Sequence, residues 1–187
     1  MSLESTLIEY GAPTLAGLKP ASLFRYSPTV PELFQTQLES MQKQLSSCGI
    51  ELVVLKTCKK TRSYLLYIYR QSDLADLVSL PEIQAFLYSL HYAFQDSIPF
   101  LIAQLTQRLC CSQTFPHEIG IFLGYPLEDV QGFMQHKGKN YTYCGYWKSY
   151  GDPRVAKRRF AAYRRCTNIL RSRYANGTPI MHLVVAA

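Results

Sequence analysis

The sequence predicts a mixed α+β (α/β) fold: a single domain over residues 1–187, built on a four- to five-stranded, mainly antiparallel sheet covered by helices. Three observations carry that expectation. Two β-rich runs, 50–55 and 63–69, flank a short polar segment; apolar residues recur at helical spacing after several prolines; and the aromatic segment 141–150 has the period-2 geometry of a strand. One domain is the default at 187 residues, and a hydrophobic fraction of 48% is enough for a core. The charged fraction of 18% is below the roughly 25% of typical domains, which excludes a disordered or collagen-like chain.

Residues 1–30 read as an irregular N-terminal segment packed on the domain, because Pro13, Pro20 and Pro28 with Gly11 and Gly17 interrupt any long helix. Pro31 then opens a helix. Phe34, Leu38, Met41 and Leu45 form its apolar stripe, and Gly49 stands where a left-handed cap belongs. The runs 50–55 and 63–69 form a hairpin across the polar residues 58–62. Short helices follow over 73–79, from Pro81 with Phe86, Leu90 and Ala93 in register, and after Pro99. Thr114 to Glu118 starts another, with Ile119, Phe122 and Leu123 on one side and Gly124 as its stop. Pro126 opens the next, whose Glu128 and Asp129 suit the N-terminal dipole and whose last turn holds His136 and Lys137.

Read as one strand, 141–150 places Tyr141, Tyr143, Gly145 and Trp147 on one face and Thr142, Cys144, Tyr146 and Lys148 on the other. Asp152 as N-cap and Pro153 at the first position start a long helix that ends at Asn176-Gly177, and a final strand is expected over 180–185.

The net charge of +7 is unevenly held. Residues 137–173 contain eleven basic residues against one acid, Asp152, a local +10; the remainder holds nine basic and twelve acidic residues, or −3. Within the long helix, positions 156, 160, 163, 167, 170 and 174 form an apolar arc of roughly 80°. Arg154, Lys157, Arg158, Arg159, Arg164, Arg165, Arg171 and Arg173 are spread around the rest of the circumference. No acid lies among them, so i,i+4 ion pairs do not explain the choice, and the arginine fork suits phosphate or carboxylate. The default expectation is a solvated, cationic helix face; among partners, a small anionic ligand ranks first. Nucleic acid ranks lower, because no zinc-finger, RNP or basic-zipper pattern accompanies the basic residues.

The first ten residues carry acids at Glu4 and Glu9 and no base, unlike a signal peptide, and no run of ~18 apolar residues occurs. A cytoplasmic protein with no membrane partner is therefore expected, with its six cysteines reduced. Their spacing contains no Cys-x-x-Cys pair, so no metal site is assigned.

Three residues are candidates for catalysis. His117 and Glu118 pair a group that titrates near neutrality with a carboxylate, although neighbours on a helix point about 100° apart, which favours a capping Glu118 and a hydrogen-bonded His117. Cys144 precedes Gly145, where a backbone can approach closely, but Lys148 lies roughly 13 Å along the strand, so a buried inert thiol is the expectation. Cys110, Cys111 and Cys166 are expected to pack. Gly-x-Ser-x-Gly, Walker A, Gly-x-Gly-x-x-Gly and His-Glu-x-x-His motifs are all absent. The ligand-binding candidates are Tyr146, Trp147, Lys148, Arg154 and Arg158, an aromatic wall beside cations and a helix N-terminus.

The run from Phe115 to Phe133, the segment Cys144-Gly-Tyr-Trp-Lys-Ser-Tyr-Gly-Asp152 and the stretch Ala12-Pro-Thr-Leu-Ala-Gly-Leu-Lys19 resemble an uncharacterised bacterial family of unknown function, found mainly in anaerobic Gram-positive bacteria. Gly11 stands where that family's opening motif often carries a cysteine, so no thiol or metal site is carried over to it. The resemblance implies a cytoplasmic bacterial protein, with a redox or iron-linked setting as a hint, and leaves the cofactor unknown. The function expected is binding of a small anionic or planar ligand, nucleotide-like or a redox cofactor. The alternatives are a nucleic-acid-associated regulator acting through the basic helix and an enzyme using Cys144 or His117.

Overall fold

The computed structural model describes residues 1–95, 97–111 and 114–187. Among these residues the helices are α1 (Leu3–Leu15), α2 (Pro31–Ser46), α3 (Gln71–Ser79), α4 (Pro81–Ser89), α5 (Ile98–Cys111), α6 (Ile119–Phe122), α7 (Leu127–His136) and α8 (Pro153–Ala175). The strands are β1 (Ala21–Tyr26), β2 (Ile50–Cys58), β3 (Ser63–Arg70), β4 (Tyr143–Cys144) and β5 (Lys148–Ser149), and a 3-10 turn covers Ile180–Leu183. The fold is mixed α and β, as expected, but its strands form two antiparallel sheets, one of three strands and one of two. Two compact units result: residues 1–75 with 166–187, and residues 76–165.

In the first unit β3 is central, paired with β1 and β2 in the order β1-β3-β2. The hairpin read from 50–69 is present and longer than expected: Cys58 pairs with Ser63, and Arg62 takes a left-handed conformation in the turn. α1 and α2 cover the sheet face that carries Leu52, Leu66 and Ile68, all nearly fully buried. Cys166 and Leu170 of α8, with Ile180 and Leu183, belong to the same core. Phe34 of α2 stacks on Tyr64 at 4.1 Å, so the apolar stripe of that helix does what its spacing implied.

Residues 1–30 are not irregular. Leu3, Leu7, Ile8, Ala12 and Leu15 are buried on one side of α1, and the Ser2 hydroxyl caps it by accepting from Ser5 N at 3.1 Å. Pro13 is tolerated because it falls in the last turn, where only one backbone bond is lost and the Pro13 carbonyl still accepts from Leu18 N and Lys19 N. The expected final strand over 180–185 is also corrected. Ile180 and Leu183, three apart, are the buried pair, and that spacing fits a 3-10 turn instead of a strand's alternation.

Lys19, beside this helix, is buried, and burial lowers its ammonium from 10.5 to about 8. Because the folded value lies below the unfolded one, the unfolded chain holds more protons as pH rises past 8, so stability rises with pH there. Urea titrations should show a gain of about 2 kcal/mol between pH 7 and pH 9.5, and Lys19→Met should abolish it. Tyrosines with raised values, such as Tyr69 at about 12, oppose the trend only above their unfolded value near 10, which sets the upper limit of the window. A variant that keeps the wild-type rise would show that another group causes it.

The second unit is organised at two points. Tyr92 is buried, donates its hydroxyl to Glu118 Oε1 at 3.2 Å and packs on Phe122. The Arg108 guanidinium lies 4.1 Å above the Tyr92 ring and donates to the Leu90 carbonyl at 2.6 Å. Burial first, and then the Glu118 charge, raises the Tyr92 phenol far above its ordinary value, so it stays protonated as a donor. The second point is Asp129, at the start of α7.

Candidate functional site

Segment 141–150 is a tight hairpin, not one strand: Tyr143 pairs with Ser149 and Cys144 with Lys148, and Gly145 N donates to the Trp147 carbonyl at 3.0 Å. The fold of this hairpin follows from one carboxylate. Asp129 Oδ2 accepts from Trp147 Nε1 at 2.6 Å, while Oδ1 accepts from Tyr150 N at 2.6 Å, Ser149 Oγ at 3.1 Å and Gly151 N at 3.2 Å. Asp129 is only 3% exposed, and its place in the first turn of α7 adds the favourable end of the helix dipole. Charge-assisted bonds of this kind overrule the alternation of side chains that the sequence presents.

Beyond the hairpin, Asp152 caps α8 as expected, accepting from Arg154 N at 2.8 Å. The Arg154 hydrogen bonds, and then the charge of Arg158, hold the Asp152 carboxyl below its usual range. Ala156, Phe160 and Tyr163 of α8 pack with Trp147 in a small apolar cluster. A Cβ on Gly145 would collide with the Phe160 ring, so the close approach expected at that glycine is made by an aromatic side chain of the same unit. A cavity of about 100 Å³ lies at Asp129, Trp147, Ser149, Asp152 and Arg159.

The catalytic candidates are not brought to one point. Glu118 is buried and makes no cap hydrogen bond; its carboxylate goes to Tyr92 and Arg108, which corrects the capping role expected for it. His117 is exposed, and its ring lies against Phe115 and Phe133. Cys144 is exposed, not buried, and lies directly opposite Lys148 across the hairpin instead of roughly 13 Å along a strand. Lys148 is committed elsewhere: Nζ donates to the Gly138 carbonyl at 2.7 Å and lies 5.1 Å from the centre of the Tyr141 ring. Cys110 and Cys111 are exposed, against expectation. Cys166 is buried, as expected, and burial raises its thiol. Cys58, which the sequence reading passed over, is exposed and has its thiol lowered by hydrogen bonds from the Thr61 side chain and backbone. No group of three or more His, Cys, Asp or Glu residues that could hold a metal ion occurs among the described residues, and none of the described helices is long and apolar enough to cross a membrane.

The ligand-binding candidates separate into two kinds. Trp147 and Lys148 are occupied within the protein, whereas Tyr146, Arg154 and Arg158 are exposed. Tyr146 leans on Phe160 and meets Tyr163 edge-on at 5.5 Å, leaving 44% of its surface open. Around α8 the basic residues are sorted by exposure, which the sequence reading did not foresee. Arg159 is half-buried, 6.0 Å from the centre of the Trp147 ring. Arg154, Lys157, Arg158, Arg164 and Arg165 are exposed and, at 100° per residue, share one arc of about 120°. Arg154 is paired with Asp152, and Lys157 Nζ lies 5.2 Å from the centre of the Tyr143 ring. Among the described residues, no carboxylate lies within ion-pair distance of Lys157, Arg158, Arg164 or Arg165.

No curated protein and no solved structure matches the chain. The agreement lies at the level of a family: residues 7–184, which include the Asp129 hairpin and the whole of α8, match its model, and the chain belongs to the proteins of unknown function grouped as DUF3793.

Proposed function

We propose that the protein binds a nucleotide-like ligand on the surface formed by the β4–β5 hairpin and the first three turns of α8. The observation that carries this reading is the cationic arc itself. Arg154 and Arg158 are like charges four residues apart, an arrangement that weakens a helix by a few tenths of a kcal/mol, and they stand in the N-terminal half of the helix, where the dipole also disfavours cations. Asp152 relieves part of both effects at Arg154, and an anion at Arg158 would relieve the rest. Exposed Tyr146, on the hairpin, supplies an open ring suited to a planar base, and exposed Arg158 and Lys157 supply positive charge for a phosphate.

The test is fluorescence polarisation of a dye-labelled adenosine diphosphate at low salt. The double variant Arg154→Gln/Arg158→Gln should weaken binding at least tenfold, and Tyr146→Ala should weaken it about as much. Lys148→Gln serves as the contrast: its ammonium is committed to Gly138, so its affinity should stay within about twofold. Equal affinity for wild type and the arginine double variant would refute the assignment.

A further inference from the structure

The geometry points to a second binding site, for a small aliphatic amine, in a cavity of the first unit between the start of α1 and α2; it does not depend on the nucleotide reading. The cavity measures about 360 Å³, within the range of small-molecule pockets. Residues 2–4 line one side. On the other, Gln37, Ser40, Met41 and Gln44 follow one another at the three- and four-residue spacing of a single helix face. Leu3 and Met41, only 3% and 4% exposed, give the cavity an apolar wall, and the polar residues beside Met41 border it.

Glu4 is the one charged side chain among the eight residues that line the cavity, so an anion entering it meets a carboxylate and no cation. The dipole of α1 opposes a cation there, and Glu4, in the first turn, offsets it. Tyr174 donates its hydroxyl to Glu4 Oε2 at 2.7 Å, which orients the carboxylate and leaves Oε1 to accept. Gln44 donates Nε2 to the Ser40 carbonyl and hydroxyl, both at 3.3 Å, so its own amide oxygen is left to accept as well. Among the described residues the side chains of Thr36 and Gln37 have no partner, and they add two more oxygens. A primary ammonium brings three donors and no acceptor, the complement of this set. No aromatic ring lines the cavity to stack on a flat ligand; Leu3 and Met41 instead suit a short methylene chain, whose burial adds to the ammonium's bonds.

The experiment titrates the full, nitrogen-15-labelled chain with three molecules of one shape, pentylammonium, 1-pentanol and pentanoate, and follows the backbone amide signals. Pentylammonium should shift the amides of residues 3–4 and 36–44 saturably, with a dissociation constant on the order of 1 mM. Pentanol should bind the same place at least fivefold more weakly, and pentanoate should leave these amides unmoved. Glu4→Gln keeps an oxygen for the Tyr174 hydroxyl and removes the charge; it should weaken pentylammonium about tenfold and change pentanol less than twofold. An unchanged amide spectrum away from the cavity checks that the variant is folded. Three results overturn the inference: pentanoate or pentanol bound as tightly as pentylammonium, Glu4→Gln binding pentylammonium as tightly as wild type, or shifts from pentylammonium that do not saturate or lie elsewhere. None of these results bears on adenosine diphosphate at α8, so the two readings stand or fall separately.

Discussion

Replacing Asp129 with alanine should cost about 4 kcal/mol and release the β4–β5 hairpin. The carboxylate satisfies four donors: the Trp147 indole, the Ser149 hydroxyl and the backbone N–H groups of Tyr150 and Gly151. Removing it leaves buried donors without acceptors, each unmade bond costing about 1–3 kcal/mol, partly recovered where water enters. Asp129→Asn is a sharper probe. Its single carbonyl oxygen can keep the bonds at the Oδ1 position, but the amide then presents N–H to the Trp147 N–H, so about half of the loss should remain. Trp147 is the single tryptophan of the chain, so its emission reports this site alone. The alanine variant should shift emission to the red and lower the urea midpoint followed at that wavelength. On the proposed function it should also weaken nucleotide binding, because Tyr146 is carried by the same hairpin. An alanine variant with wild-type emission and midpoint would mean that the hairpin is held by the packing of Trp147 on Phe160, 4.5 Å away and edge-on, and not by Asp129.

That site shows where sequence reasoning stops. α8 was legible: its apolar arc at 156, 160, 163, 167 and 170 is buried, Asp152 caps it and Gly177 follows its end with a positive φ. The periodicity of a long helix needs no partner to be read. The 141–150 segment is different, because its alternation is compatible with a strand until Asp129, twelve residues upstream at the nearest, is placed against it. The sequence reading gave Asp129 only a dipole role; the signal available was an acid at the start of an apolar helix in a chain with one tryptophan, and it is not specific. α1 was missed for the opposite reason. Pro13 and Gly11 were weighed as breakers, yet Gly11 is buried against Ile68 and Pro13 sits where the helix is about to end. At the candidate site, Tyr146, Arg154 and Arg158 are exposed, whereas the polar atoms of Trp147 and Lys148 already have partners that only tertiary structure shows.

The second large effect is expected in the first unit, at Arg70, where the apolar strand β3 ends. Its side chain is 5% exposed, and the guanidinium donates to Asp73 Oδ2 at 2.8 Å, to the Val185 carbonyl at 2.8 Å, to the Ala186 carbonyl at 2.9 Å and, at 3.4 Å, to the Thr14 carbonyl. One planar cation thus joins the end of α1, the end of β3, the start of α3 and the segment after the 3-10 turn, an arrangement that five fixed donors can satisfy and an ammonium cannot. Arg70→Met removes the charge and leaves three carbonyls and a carboxylate short of donors; a loss of about 3–5 kcal/mol follows. Arg70→Lys keeps the charge in the same buried position with fewer, differently aimed bonds, so it should recover less than half of that loss. Hydrogen exchange separates this local role from general destabilisation. Val185 N, bonded to the Leu15 carbonyl, and Ala187 N, bonded to the Cys48 carbonyl, should lose protection in Arg70→Lys before the amides of β3 do, because Arg70 holds the carbonyls of 185 and 186 while β3 is held by its neighbours on both sides. Equal loss of protection in β3 and at Val185 would instead make Arg70 a support of the whole sheet.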